Sequence, residues 1–223
     1  MSEFPPNISI RPLTIEDADQ CLSVETKSFT NAEERASLEK FHYRLKVCPE
    51  LCSGLFVRDY EYKYNAMNLP EVAEKLDKEQ ADKEQAEESE ELPTKSSVTR
   101  EKLIGHVIAT KIDSSVITSE SMDLPSEIEP KAGHIETSRF IGIHSVAIDP
   151  NWQGLNLGTL LLHDYIQKLS NQDLGDKIAI IVHKELIPFY EKIGFVELGE
   201  SKCDFAGTKW YDMAIDLVPE EDL

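Results

Sequence analysis

The sequence contains no run near the roughly 18 consecutive apolar residues that a membrane-spanning helix needs. Its longest informative apolar stretch is Ile178 to Val182, so no membrane span is expected. Basic residues are scarce: 23 Lys and Arg stand against 42 Asp and Glu, a formal charge of -19, which argues against general nucleic-acid binding. Four cysteines, Cys21, Cys48, Cys52 and Cys203, include no Cys-x-x-Cys pair. Buried, reduced thiols are expected rather than a zinc site or a disulfide framework, and no metal is expected elsewhere. The opening Met1 to Pro6 is neither basic nor apolar, so a secretory leader is not expected and the protein reads as cytoplasmic.

What is present suffices for one core. Of the 223 residues, 40% are hydrophobic, and the length suits one globular domain, residues 1–223, with an insertion at about 61–100. Within that insertion Glu71 to Leu92 carries ten acidic residues and three lysines with no aromatic. Such a segment is a solvated helix or a loop, with little to bury. A monomer is expected.

Around the insertion the hydrophobic pattern alternates between strand and helix periods. Ile8 to Leu13 reads as a strand, Thr14 as the cap of a helix carrying Ile15, Ala18, Leu22 and Phe29, and Ala32 to Val47 as a second helix ended by Pro49. Gly54 to Val57, Lys102 to Ile112 and Arg139 to Ile148 read as strands, with a long polar loop from Asp113 to Ser138. A helix after Leu155 buries Leu157, Leu161 and Tyr165 and stops near Gly175. Ile178 to Val182 is a strand covered on both faces, Glu185 to Ile193 a short helix, and Phe195 to Leu198 and Lys209 to Leu217 closing strands. The order predicts a mixed, mostly antiparallel α/β or α+β sheet flanked by helices.

Chemistry concentrates in His144-Ser145-Val146-Ala147-Ile148-Asp149-Pro150-Asn151-Trp152-Gln153-Gly154-Leu155-Asn156-Leu157-Gly158-Thr159. A strand, a small-residue turn and an apolar-striped helix follow one another there. Amides of such a turn and the positive end of the helix dipole make a cradle for phosphate or pyrophosphate. The spacing is neither GxGxxG nor GxxxxGK[ST], which takes support from nicotinamide and nucleoside-triphosphate readings.

Here the chain resembles the GCN5-related N-acetyltransferase (GNAT) superfamily, whose acyl-CoA loop reads Gln/Arg-x-x-Gly-x-Gly/Ala; the matching residues are Gln153 to Gly158. Within it the chain is most similar to arylalkylamine N-acetyltransferases and their fungal polyamine-acetylating relatives. Cys48-Pro49-Glu50-Leu51, Ile117-Thr118-Ser119-Glu120-Ser121 and Ile187 to Phe195 carry that likeness. The resemblance implies a GNAT fold, acetyl-CoA as co-substrate, and transfer of acetyl to a small amine by direct attack in a ternary complex. It implies cofactor contacts at Val146, Ala147, Ile148, Gln153, Gly154, Leu155, Asn156, Leu157, Gly158, Thr159 and Tyr190, and amine contacts at Pro49, Leu51, Val146 and Ile181.

The chemistry sets the requirements on the rest. An alkylamine with a pKa of about 10.4 arrives protonated, so a proton acceptor is needed, and His144 is the candidate on the strand feeding the turn. The family pattern has His-x-His there; Gly142 stands at the first position. A thiol-like leaving group benefits from a proton, and Tyr190 matches the superfamily's general acid. Asn156 stands where the loop has glycine, and asparagine tolerates positive φ better than other side chains. Phe41, Tyr43, Pro49, Leu51 and Leu124 are expected to line an apolar amine slot, and Glu50, Glu120 or Asp123 to serve a polyamine. Two other readings stay open: a peptide or protein acetyltransferase acting on lysine or an N-terminus, and a non-catalytic acyl-CoA-binding module.

Overall fold

The structure, a computed structural model, describes residues 4–60, 98–126 and 132–217, so most of the acidic insertion lies outside the described residues. Met1–Val57 with Lys102–Leu223 form one compact unit and Arg58–Glu101 a second. Of the second unit, the strand ends are described, tied by Arg58 to Glu101 at 2.7 Å.

Seven strands form one sheet: β1 (Ile8–Pro12), β2 (Ser53–Tyr60), β3 (Val98–Ile112), β4 (Phe140–Ile148), β5 (Lys177–Val182), β6 (Val196–Glu200) and β7 (Tyr211–Asp216), in the order β1-β2-β3-β4-β5-β7-β6. β1 with β2, β3 with β4, β5 with β7 and β6 with β7 pair antiparallel, whereas β4 and β5 pair parallel. A parallel neighbour requires a crossover, which α4 (Leu157–Asn171) supplies. The remaining helices are α1 (Ala18–Ser28), α2 (Leu38–Val47), α3 (Ser119–Met122) and α5 (Ile187–Glu191). Among the described residues no helix is long and apolar enough to cross a membrane.

Four of these helices divide between two cores, while Met122 of α3 joins a third with Ile112, Ile117 and Trp210. Leu157, Leu161, Leu162, Tyr165 and Leu169 of α4 join Ile187 and Tyr190 of α5 against Ile141, Ile143, Ile178 and Ile180. Ala18, Cys21 and Val24 of α1 join Phe41 and Leu45 of α2 against Phe56, Ile108 and Ala147. All four cysteines are free and buried.

Three expected helices differ. The one expected after Thr14 begins as a 3-10 turn, Ile15–Asp17, before α1, and Phe29 is its C-cap. The segment expected as one helix from Ala32 breaks into a 3-10 turn, Ala32–Glu34, and α2, which begins only after Ser37, whose side chain accepts from Lys40 N. A serine with β-region backbone is a better helix start than an interior position, so the cap overrides the propensity before it. The helix expected from Glu185 likewise splits into a 3-10 turn, Lys184–Leu186, and α5.

Candidate active site

The site begins with a defect in strand pairing. Along β3 and β4 the register runs Ile108 to Ser145 and then Ala109 to Ile143, so His144 has no partner and β4 bulges there. On its other edge β4 pairs with β5 only from Phe140 to Ile143. Beyond that point the two parallel strands part. Asp149 N donates to Ile104 O on β3 at 2.8 Å; by the alternation of peptide groups along a strand, Val146 and Ile148 turn theirs toward the edge that β5 has left. The Ile148 carbonyl accepts instead from Gln153 Nε2 at 2.9 Å.

A cleft of about 500 Å³ fills this opening, lined by Val146, Ile148 and Trp152, by Gln153, Gly154 and Asn156 to Thr159 of the turn, and by Leu186, Phe189, Tyr190 and Lys192. The turn is held from below by the buried Asp149, whose carboxylate accepts from Asn151 N (3.0 Å), Asn151 Nδ2 (2.9 Å) and Lys27 Nζ (3.3 Å). Burial would raise that carboxyl, but these donors together hold it below its ordinary value. Asn156 is the N-cap of α4 at φ 58°, ψ 17°, in the left-handed region that the sequence substitution of asparagine for glycine anticipates. Gly154, at φ 77°, also needs positive φ, and a Cβ there would meet nothing within 4 Å. The first turn of α4 has no acidic residue, leaving the positive end of the helix dipole uncompensated.

A second cavity lies on the other side of Tyr190. Phe29, Glu34, Met122, Ile143, His144, Ser145, Ile180, Ile181, Val182, His183, Phe205 and Trp210 line it, and it shares Val146, Leu186 and Tyr190 with the first. Tyr190 packs edge-on to Phe189 (5.0 Å) and Phe195 (5.6 Å). Burial pushes its phenol well above the ordinary value, so it stays protonated. His144 is half-buried on the wall, with Nδ1 3.2 Å from Met122 Sδ and Nε2 2.6 Å from Thr110 Oγ1. A thioether offers no proton, so Nδ1 is the donor and Nε2 accepts from Thr110. Burial, and then the positive charges of Arg44 and Lys40, hold the imidazole well below its ordinary pKa. It is neutral, with both nitrogens engaged.

Several residues expected at the site lie elsewhere. Leu51 is fully buried in the core and its carbonyl accepts from Tyr165 Oη at 2.9 Å. Pro49 is exposed at the start of a 3-10 turn, because the chain leaving α2 passes over α4 rather than over the cavity. The side chain of Ala147 packs in the α1–α2 core, away from the cleft, and that of Leu155 is not part of the cleft lining although Gly154 and Asn156 on either side of it are. Phe41 is buried against His106, and Tyr43 Oη accepts from His134 N. Glu50, Glu120 and Asp123 line neither cavity; the carboxylate found there is Glu34. Sequence reasoning missed Glu34, His183, Phe205 and Trp210, which come from three separate stretches of the chain.

Residues 70–217 match the Acetyltransferase (GNAT) domain family. The chain belongs to that family. It is 27% identical over 187 residues to the "Uncharacterized N-acetyltransferase ycf52" of Pyropia yezoensis, covering 82% of this chain and 95% of that one. It is 22% identical over 196 residues to the serotonin N-acetyltransferase of Mesocricetus auratus, covering 87% and 70%. Among solved structures, the GphF GNAT-like decarboxylase in complex with isobutyryl-CoA superposes with a TM-score of 0.58 at 12% identity, covering 94% of this chain and 99% of that one. At that identity the likeness is one of fold, and it joins this fold to a decarboxylase as well as to transferases.

Proposed function

We propose that the protein transfers acetyl from acetyl-CoA to the primary amine of a small amine, an arylalkylamine or a polyamine. The observation that carries this reading is the meeting of two cavities at Val146, Leu186 and Tyr190, one beside a phosphate-binding turn and one walled by aromatics. The turn has what a pyrophosphate needs: amides at the start of a 15-residue helix, open space over Gly154, and no acidic side chain in the first turn. A Cβ at Gly158 would make ordinary contacts with Phe189 at 3.5 Å and Ile148 at 3.8 Å, both of which line the cleft, so its absence leaves room for a ligand beside the helix. The pantetheine arm would lie along the peptide groups of Val146 and Ile148, and one of these amides would polarise the thioester carbonyl.

On the acceptor side Phe29, Phe205 and Trp210 with the carboxylate of Glu34 suit a cation carried on an apolar body. Tyr190, kept protonated by burial, would give its proton to the departing sulfur. His144 would form the neutral wall of the acceptor cavity; as a proton acceptor it would first have to give up Thr110 or Met122. The single identified acid, with no cysteine among the described residues lining either cavity, favours direct attack over an acyl-enzyme.

The test is thiol release from acetyl-CoA with tryptamine, serotonin, spermine and a lysine peptide. Turnover with the small amines supports the reading. Release with the peptide alone replaces it with a peptide acetyltransferase, and acetyl-CoA binding by calorimetry without any release leaves an acyl-CoA-binding module.

A further inference from the structure

The acceptor cavity contains a second histidine, and its geometry differs from that of His144. His183 follows the last residue of β5, half-buried, with its ring stacked on Trp210 at 4.3 Å and 30°. Its Nε2 lies 3.1 Å from Glu34 Oε2. The other oxygen of Glu34 accepts from Asn31 Nδ2 at 3.0 Å and Thr208 Oγ1 at 3.3 Å. A carboxylate oxygen accepts, so the hydrogen of this contact sits on His183 Nε2, and in the neutral ring Nδ1 then carries the lone pair. Among the described residues Nδ1 has no hydrogen-bond partner. His183 and Tyr190 both line the cavity.

We propose that His183, oriented by Glu34, takes the proton from the acceptor amine. This rests on the amine acetyltransferase reading above and names a proton acceptor other than His144. A carboxylate behind an imidazole fixes its tautomer and stabilises the imidazolium that forms, the division of labour known from hydrolytic triads. An N–H bond of the ammonium breaks and its proton goes to Nδ1, leaving an imidazolium whose Nε2–H remains on Glu34. The freed lone pair forms the N–C bond at the acetyl carbonyl. The nitrogen then sheds a second proton as the C–S bond breaks, and the sulfur takes one from Tyr190, whose phenolate regains one in turn. The products are amide, thiol and one net proton released to solvent. His183 would touch the substrate; Glu34 acts through it as a positioning residue.

The titratable and charged groups on the elements packed around His183 are Glu34 on the turn after α1, His144 on β4, Tyr190 on α5, and Tyr211 and Asp212 on β7 opposite Val182 and Ile181. The exposed Lys184 and Glu185 follow it in the chain.

The experiment compares the full-length protein with His183→Gln and Glu34→Gln, following thiol release from saturating acetyl-CoA between about pH 6 and pH 10. Tryptamine is one acceptor and a β,β,β-trifluorinated alkylamine, largely unprotonated near neutral pH, the other. With tryptamine at pH 7, His183→Gln should lose on the order of 100-fold in kcat/KM. Its rate should then climb about tenfold per pH unit toward the amine's own pKa of about 10, where no base is needed. With the trifluorinated amine the wild-type and His183→Gln proteins should differ by less than about threefold. Glu34→Gln, which keeps an acceptor oxygen but not the charge, should lower kcat about tenfold and retain the wild-type shape of the profile, whereas Glu34→Asp should restore part of the rate. A wild-type pH profile in His183→Gln overturns the proposal. Equal impairment on both amines also overturns it, because a lost fold or cavity does not distinguish them. No thiol from the wild-type protein with any amine overturns the transferase reading itself, and the dyad with it.

Discussion

Thr110 Oγ1 stands 2.6 Å from His144 Nε2 at the residue where β4 bulges away from β3. The bulge turns the His144 ring between Thr110 and Met122, and α2 holds that arrangement from behind, since Arg44 Nη2 donates to Met122 O at 3.0 Å. Arg44 is so enclosed that burial, above all, pulls its guanidinium down to about 10 against the opposing pull of Glu25. It stays charged at neutral pH and helps to keep His144 uncharged.

The folded protein should therefore lose stability in acid partly through His144. The folded-state pKa is lowered well below 6.5, so below that pH the unfolded chain takes up a proton that the folded one refuses. The contribution is fully present above pH 6.5 and is lost as pH falls toward the folded value, by up to about 1.4 kcal/mol per unit. Urea unfolding at pH 7 and pH 5 should show a smaller loss for His144→Gln than for the wild-type protein. An equal loss in both would show that His144 protonates alike in the two states.

Tyr190→Phe should lower kcat by about 100-fold and leave the fold intact, because the edge-on contacts to Phe189 and Phe195 involve the ring and not the hydroxyl. Burial raises the phenol, so in the wild-type protein kcat should show no descending limb from Tyr190 below about pH 10. Calorimetry should find acetyl-CoA affinity within a few-fold of the wild-type value. A kcat unchanged by the substitution would remove the acid role.

The sheet and its flanking helices were largely legible in the sequence because each rests on a local period, as in Leu157, Leu161 and Tyr165 on α4 or the uninterrupted run of β5. The turn from Gln153 to Thr159 was legible for the same reason, being contiguous. The acceptor cavity was not. Glu34 arrives on a turn that its neighbours Ala32 and Glu33 made look helical, and His183 sits one residue past a strand end. Their contact spans 149 positions. Pro49 and Leu51 show the opposite error, since adjacency in sequence to a recognised segment carried them toward a pocket that neither lines, Leu51 being enclosed in the core and Pro49 exposed. The bulge at His144 had no signal of its own, because a one-residue slip between β3 and β4 depends on both strands.

The left-handed backbone at Asn156 gives a separate prediction. Asn156→Gly should be close to neutral in stability, whereas Asn156→Val should cost about 1–2 kcal/mol, since a β-branched residue resists φ near +58°. The same strain sits at the mouth of the cofactor cleft. Asn156→Val should therefore also weaken acetyl-CoA binding, measured by calorimetry, while Asn156→Gly retains it. Equal binding by both variants would separate this backbone from the ligand.

Gly142 decides whether a His-x-His pair can be restored by substitution. It lies on β4 opposite Thr110, and a Cβ there would stand 2.8 Å from Ile117 Cδ1 and 2.9 Å from Ile112 Cγ2. Ile112 and Ile117 belong to the cluster that packs with Met122, Ala179, Cys203 and Trp210. Gly142→Ala forces those methyl groups aside and should cost about 1–3 kcal/mol, as overpacked cores do. Gly142→His adds a ring to a space already closed to one carbon, so it should melt well below Gly142→Ala and show no gain in acetyl transfer at any pH. Were Gly142→His instead to fold normally and raise turnover, the neighbouring β-strand face would have to be open to a side chain, and proton transfer along β4 would replace His183 as the route from the amine.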